Sequence, residues 1–342
     1  NTFILKDTTY EKRPAPNYMV RLFLPCGTLW SSWPGDSTQN MIARYPPVPP
    51  WVIRKMYRSQ GTLNRTACTE TLRTGVGFVH LSGHGDPNGV YETSTGPVYS
   101  HSSDVYNLNN GPKYIIANTI ACDVGALDQG SVNSDCYGEN FVNAPNGGAV
   151  AGIFNSRLGW GTIPGPGYSE LQDMKFYENF FRSDTLNFEA GKVNALSKQA
   201  YRNQALTNGT WRWCYYQLNL FGDPALAMWS NTPFTLSATH PTTIPRGPQN
   251  FTVTAQSGSN PLQRALVCLW KGDEVYARGL TNVSGTVTLA INPTTTGQMY
   301  VTVTAKSHLP YEGTTTVGIE EEKSDNRSCL LYTSPSPRDR QK

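Results

Sequence analysis

Phe78-Val-His-Leu-Ser-Gly-His-Gly85 and, further on, Lys113-Tyr-Ile-Ile-Ala-Asn-Thr-Ile-Ala-Cys-Asp123 decide the fold. Each is a nearly unbroken apolar run that ends in small and polar residues. That is the pattern of a strand buried on both faces, as in a parallel sheet. Residues 76–81 and 113–119 therefore read as strands. Working outward, residues 18–24 read as a short buried strand ended by Pro25, residues 51–57 as a second strand and residues 148–154 as another. Helical patterns fall between them: 39–45, stopped by Pro46 and Pro47, 68–73, closed by Gly75, then 135–142 and the long stretches 168–181 and 188–206. Strands alternating with helices predict an α/β domain with a mostly parallel sheet flanked by helices.

The character changes near Thr232-Pro233. From Phe234 to Val317 only short strand patterns occur, among them Phe251–Thr254, Ala265–Trp270, Thr286–Ile291 and Met299–Thr304, separated by turn residues. This predicts an all-β sandwich over 232–318 after an α/β domain over 1–231. A charged, mobile tail is expected over 319–342. Within it, residues 329–342 resemble the translation of a sequencing adapter and are set aside from fold and function.

The chain has 342 residues, enough for about two domains. Hydrophobic residues make up 38%, which supports packed cores. Charged residues are only 15%, and the balance is filled by Asn, Thr, Ser and Gly, a composition common in exported proteins. The formal charge is +3, of which Arg338, Arg340 and Lys342 against Asp339 supply +2, so no nucleic-acid footprint exists. No apolar stretch approaches the ~20 residues that span a bilayer. The six cysteines before residue 329 show no CxxC pairs, so neither a zinc site nor a disulfide framework is indicated.

In an α/β sheet, sites form beyond the carboxyl ends of strands. Two such ends carry chemistry here. One delivers Ser82-Gly83-His84-Gly85 and the other Thr119-Ile120-Ala121-Cys122. A lone His after a strand is more often a polar loop residue, and a lone buried Cys is more often inert packing. Their joint placement at successive strand ends points to a Cys–His pair, in which a thiolate attacks and an imidazole moves the proton.

Several motifs in order carry a resemblance: Phe78 to Gly85, Ile120-Ala-Cys122, Asp135-Cys-Tyr-Gly-Glu-Asn-Phe141, Gly147-Gly-Ala-Val-Ala-Gly152 and Leu220-Phe-Gly-Asp-Pro-Ala-Leu226. The chain over about 15–318 resembles the gingipain-type cysteine peptidases, relatives of caspases, legumain and clostripain. The resemblance implies a caspase-like catalytic domain, incomplete at its N-terminus, followed by an immunoglobulin-like sandwich. It also implies a secreted bacterial endopeptidase acting on protein or peptide substrates, with further secretion or adhesin modules beyond the fragment. It assigns Cys122 as nucleophile, His84 as general acid/base, and the backbone N–H groups of Gly85 and Cys122 as oxyanion hole. It maps the specificity pocket onto Ser82, Ile120 and Trp160. No metal or other cofactor is required. Ca²⁺, which some relatives bind, finds no ligand set in the sequence.

Asp36 is the nearest carboxylate for holding a basic substrate side chain, against a plain reading as a helix cap. The loop Cys26–Asp36 departs from the acidic pattern of the Arg-specific members. Cys136 opens a helix, where the dipole could lower its pKa, and is the second candidate nucleophile. Glu139 and Asp223 read as caps or buried hydrogen-bond partners, His80 as packed, and His101 and Asp104 as loop residues. A non-catalytic surface binding or adhesion protein is the alternative function.

Overall fold

The computed structural model describes residues 2–130, 132–182 and 188–318; the tail expectations fall outside them. The chain opens with α1 (Thr2–Lys12), followed by β1 (Arg21–Cys26), α2 (Asp36–Ile42), β2 (Val52–Tyr57), α3 (Arg65–Thr74) and β3 (Phe78–Leu81). A small antiparallel sheet follows, made of β4 (His84–Asp86), β5 (Gly89–Tyr91) and β6 (Val98–His101). Then come α4 (Ser102–Tyr106), β7 (Ile115–Thr119), α5 (Tyr137–Asn143), β8 (Ala149–Asn155) and α6 (Tyr168–Phe181). The stretch closes with α7 (Ala190–Gln199), α8 (Arg202–Thr207), α9 (Gly209–Gln217) and β9 (Leu218–Phe221).

The main sheet has the order β2-β1-β3-β7-β8-β9. Its first five strands run parallel, and β9 is antiparallel to β8. Alternation along each strand divides the core into two layers. Leu22, Leu24, Phe78 and Ile116 face Phe176, Tyr177 and Phe180 of α6, together with Val193 of α7. Phe23, Val79, Leu81 and Ala117 face Cys68 and Leu72 of α3, together with Tyr137 and Phe141 of α5. Burying both faces accounts for the unbroken apolar runs.

Several boundaries differ from the sequence reading: the helix expected over 39–45 is Asp36–Ile42, and two further differences have a clear physical reason. β1 runs through Pro25 to Cys26. The β1–β3 ladder stops at Phe23↔Val79 and resumes with a bridge at Cys26↔Ser82. Pro25 therefore sits at an interruption, where a missing N–H costs least. The stretch 188–206 is not one helix. It breaks at Tyr201, whose φ of −115° and ψ of 18° leave the helical well, and whose ring stacks on Trp211 at 4.4 Å.

Beyond residue 232 two antiparallel sheets face each other. One holds β10 (Ser237–Thr239), β12 (Gln249–Ser257), β13 (Asn260–Pro261) and β16 (Thr286–Ile291). The other holds β11 (Thr243–Ile244), β14 (Leu266–Lys271), β15 (Val275–Leu280), β17 (Gly297–Thr304) and β18 (Tyr311–Val317), with β11 parallel to β18. Phe251, Val253, Val267, Leu269, Val301 and Val303 fill the space between them. Lys12 pairs with Glu312, and the Ser230 and Ser307 hydroxyls bond at 2.8 Å, tying the sandwich to the α/β part. No helix among the described residues is long and apolar enough to cross a membrane.

Candidate active site

β3 and β7 are adjacent and parallel, so their carboxyl ends emerge side by side. After Leu81 the chain turns at Ser82-Gly83 and enters β4, which begins with His84. Gly85 must be glycine. A Cβ there would lie 2.6 Å from Ala121 Cβ and 2.9 Å from the Cys122 carbonyl oxygen. The backbone beside His84 is thus pressed directly against the Cys122 turn.

That turn is pinned from the β8–α6 loop. The Asn155 side chain donates to the Ile120 carbonyl at 2.7 Å, the Gly125 N–H to the Asn155 carbonyl at 2.8 Å, and the Asp123 N–H to the Arg157 carbonyl at 3.2 Å. The Gly159 N–H donates to Cys122 Sγ at 3.2 Å. Cys122 is half-buried, and burial raises its thiol pKa, the Gly159 N–H pulling it back and Asp123 pushing it further up. On the other side, His84 Nε2 lies 3.0 Å from the Leu29 carbonyl oxygen. A carbonyl only accepts, so Nε2 is the donor, and in a neutral ring Nδ1 is left with the lone pair.

His84 and Cys122 line one cavity of about 60 Å³ with Leu29, Trp30, Ile120, Gly159, Trp160, Gly161 and Glu170. Of the nominated residues the structure brings together His84, Cys122, Ile120 and Trp160. Ser82 is buried, its backbone bonded to Pro25 and Gly27 of β1 and the following loop, and it does not line the cavity. Asp36 is also outside the lining; it opens α2 and accepts a hydrogen bond from the Ser59 hydroxyl.

The other candidates have structural places. Cys136 caps α5, where its N–H donates to Glu139 Oε2 at 2.9 Å. It is fully buried, and that burial pushes its thiol up to about 12, so desolvation outweighs the helix dipole expected to lower it. His101 and Asp104 form the cap of α4, and Asp104 also pairs with Arg65 at 2.7 Å. Asp223 accepts from the Ala225 N–H at 2.8 Å. His80 is packed, as expected. No group of three or more His, Cys, Asp or Glu able to hold a metal occurs among the described residues. A larger cavity of about 770 Å³ lies between α1, the segment 225–229 and the sandwich, and none of the nominated residues lines it.

Sequence reasoning missed Leu29, Trp30 and Glu170. Leu29 holds His84 through its backbone carbonyl, which no residue type signals. Glu170 reads as an ordinary first-turn cap of a helix until α6 is placed beside α2. Gly159-Trp160-Gly161 was the available signal, because paired glycines around an aromatic mark close backbone approach.

The family model of peptidase family C25 matches residues 2–229. Lys-gingipain HG66 of Porphyromonas gingivalis is 25% identical over 329 residues, which cover 89% of this chain and 18% of that protein. Lys-gingipain 381 of the same species matches to the same extent, so the chain spans under a fifth of the length of these curated relatives. Among solved structures, the Arg-specific cysteine proteinase gingipain R superposes with a TM-score of 0.77 at 16% identity, covering 93% of this chain and 72% of that one. The complex of the Porphyromonas gingivalis RgpB pro- and mature domains gives 0.76 at 17% identity, covering 93% and 73%. At those identities the structures establish the fold. The match of the family model across two thirds of the sequence goes further: the chain belongs to peptidase family C25.

Proposed function

We propose that this chain is the catalytic part of a secreted cysteine endopeptidase that works through Cys122 and His84. The observation that carries the reading is their convergence. Adjacent parallel strands deliver them to one cavity, and Gly85 leaves no gap between the two turns. Leu29 holds the imidazole with Nδ1 free to exchange a proton.

The steps follow from those groups. His84 takes the Cys122 proton as sulfur attacks the scissile carbonyl, forming the C–S bond. The N–H groups of Gly85 and Cys122 receive the oxyanion. His84 returns the proton to the leaving amine as the C–N bond breaks. Water, deprotonated by His84, then adds to the thioester, and collapse releases the acid and regenerates the thiol. This chemistry draws on no metal or cofactor. Ile120 and Trp160 supply walls for the substrate, while Ser82 and Asp36 stand outside the lining. The low-charge composition rich in Asn, Thr and Ser supports an extracellular enzyme, and the peptidase family and its bacterial relatives support proteins or peptides as substrates in a bacterium. The non-catalytic alternative is not favoured, because the family matched is one of peptidases.

The test is hydrolysis of a peptide substrate by purified variants. Cys122→Ala and His84→Ala should abolish turnover, and Cys136→Ala should retain most of it. Activity surviving in Cys122→Ala would remove the nucleophile and the mechanism with it.

A further inference from the structure

The loop after β1 forms an unusual wall over the cavity. Trp30 and Trp33 pair across a tight antiparallel bridge, each N–H donating to the other's carbonyl at 3.1 Å. Trp33 Nε1 donates to Glu170 at 3.2 Å, and the Leu29 carbonyl holds His84. The Trp30 ring lies flush on Gly161, where a Cβ would come within 1.9 Å of it. Three anchors therefore fix this corner against α6, β4 and the Trp160 loop.

The one carboxylate lining the cavity among the described residues is Glu170, and it is only 1% exposed. Its Oε1 accepts from Trp33 and, at 2.6 Å, from the Thr38 hydroxyl; its Oε2 accepts from the Gly167 N–H at 2.6 Å. These bonds cap α6 and tie it to α2. Turning the carboxylate toward a ligand would break them. A cationic side chain entering here would be desolvated without a free anionic partner among the lining residues, which is costly. The volume, about 60 Å³, is the room of a few waters.

We propose that Leu29 and Trp30 set substrate selection in this chain, restricting the residue before the scissile bond (P1) to small uncharged side chains of alanine or serine size. The inference rests on Cys122 as nucleophile. Trp30 closes the far wall, Leu29 the near one, and Glu170 serves the architecture of the wall rather than recognition.

The experiment uses peptide acyloxymethyl ketones that differ only in P1, with labelling rates measured on the purified protein and on Cys122→Ala. Ala and Ser probes should label fastest, with Lys and Arg slower by about a hundredfold, the scale that pocket misfit sets. Trp30→Ala should raise the rate with Leu or Phe at P1 by about tenfold or more relative to Ala. Leu29→Ala keeps the carbonyl that holds His84, should shift the ranking the same way, and serves if Trp30→Ala does not fold. Fastest labelling by Lys or Arg, or an unchanged ranking in the folded variants, overturns the inference while leaving the nucleophile intact. Labelling that persists in Cys122→Ala overturns the nucleophile and the inference together.

Discussion

Asp173→Ala should be among the most damaging single changes to stability, although it lies outside the cavity. Asp173 on α6 and His80 on β3 are both fully buried, with Nε2 and Oδ2 at 2.5 Å. Gln39 on α2 fixes the protons. Its Nε2 donates to the carbonyls of Pro25 and His80, both at 2.9 Å, so its Oε1 must accept from His80 Nδ1, at 2.8 Å. His80 Nδ1 is therefore a donor, and a shared proton lies between Nε2 and Asp173. Removing the carboxyl leaves that proton without its partner in a dry site. Breaking a buried pair of this kind costs about 3–5 kcal/mol. At roughly 2–4 °C per kcal/mol for a domain of this size, Tm should fall by roughly 6–20 °C. Asp173→Asn is the informative control. A neutral His80 can accept from the new amide N–H, while the amide oxygen keeps the contact that Asn118 makes at 3.4 Å. Its cost should stay near the ~1 kcal/mol of an ordinary hydrogen-bond exchange. Thermal unfolding followed by circular dichroism separates the two. An alanine variant within about 1 kcal/mol of the parent, or an asparagine variant as damaged as alanine, would refute the proton assignment.

Two further expectations concern the ends of the α/β part. Burial, helped by Glu11 and Asp223, pushes the Asp7 carboxyl on α1 up to about 7 from 3.8. A carboxyl raised on folding stabilises fully below its unfolded pKa and loses that contribution as pH climbs through the folded value. Tm should therefore decline across that window, and Asp7→Asn should flatten the slope; equal slopes in both proteins would count against it. Deleting residues 233–342 should lower Tm or yield, because Leu309 packs on the core beneath α6 and Glu312 pairs with Lys12. With both forms folded, kcat on a small peptide ester should be little changed, and a loss of several hundredfold would bring the sandwich into the active site.

The strands were legible because both sheet faces are covered, so Phe78-Val79 and Ile115-Ile116-Ala117 carry no polar interruption. The shared position of His84 and Cys122 was legible for a related reason: a polar side chain shortly after such a run has no apolar layer left to enter. What escaped depends on segments distant in sequence. Glu170 enters the cavity wall only through Thr38 and Trp33, and those bonds exist only once α2 and α6 lie side by side. Cys136 stayed a second candidate because helix position argues for a lowered pKa, whereas full burial pushes its thiol up. The single helix expected over 188–206 instead breaks at Tyr201, whose ring stacks on Trp211 of the nearby α9.

The same geometry bears on when the chemistry can begin. Burial raises the Cys122 thiol pKa, and only a thiolate attacks efficiently. In the proposed reading the proton must leave in step with attack, through the one imidazole nitrogen that Leu29 leaves unprotonated. The residue that orients the base therefore also forms a wall of the cavity that the substrate enters. A side chain that displaced Leu29 would disturb the hydrogen bond setting the His84 tautomer, whereas one small enough to sit beside it would leave the bond in place. In the two proposals taken together, selection and proton transfer meet at Leu29. Under the proposed selection, the wall that restricts entry also keeps the proposed base in its working form, and a poorly fitting substrate should be penalised in turnover as well as in binding.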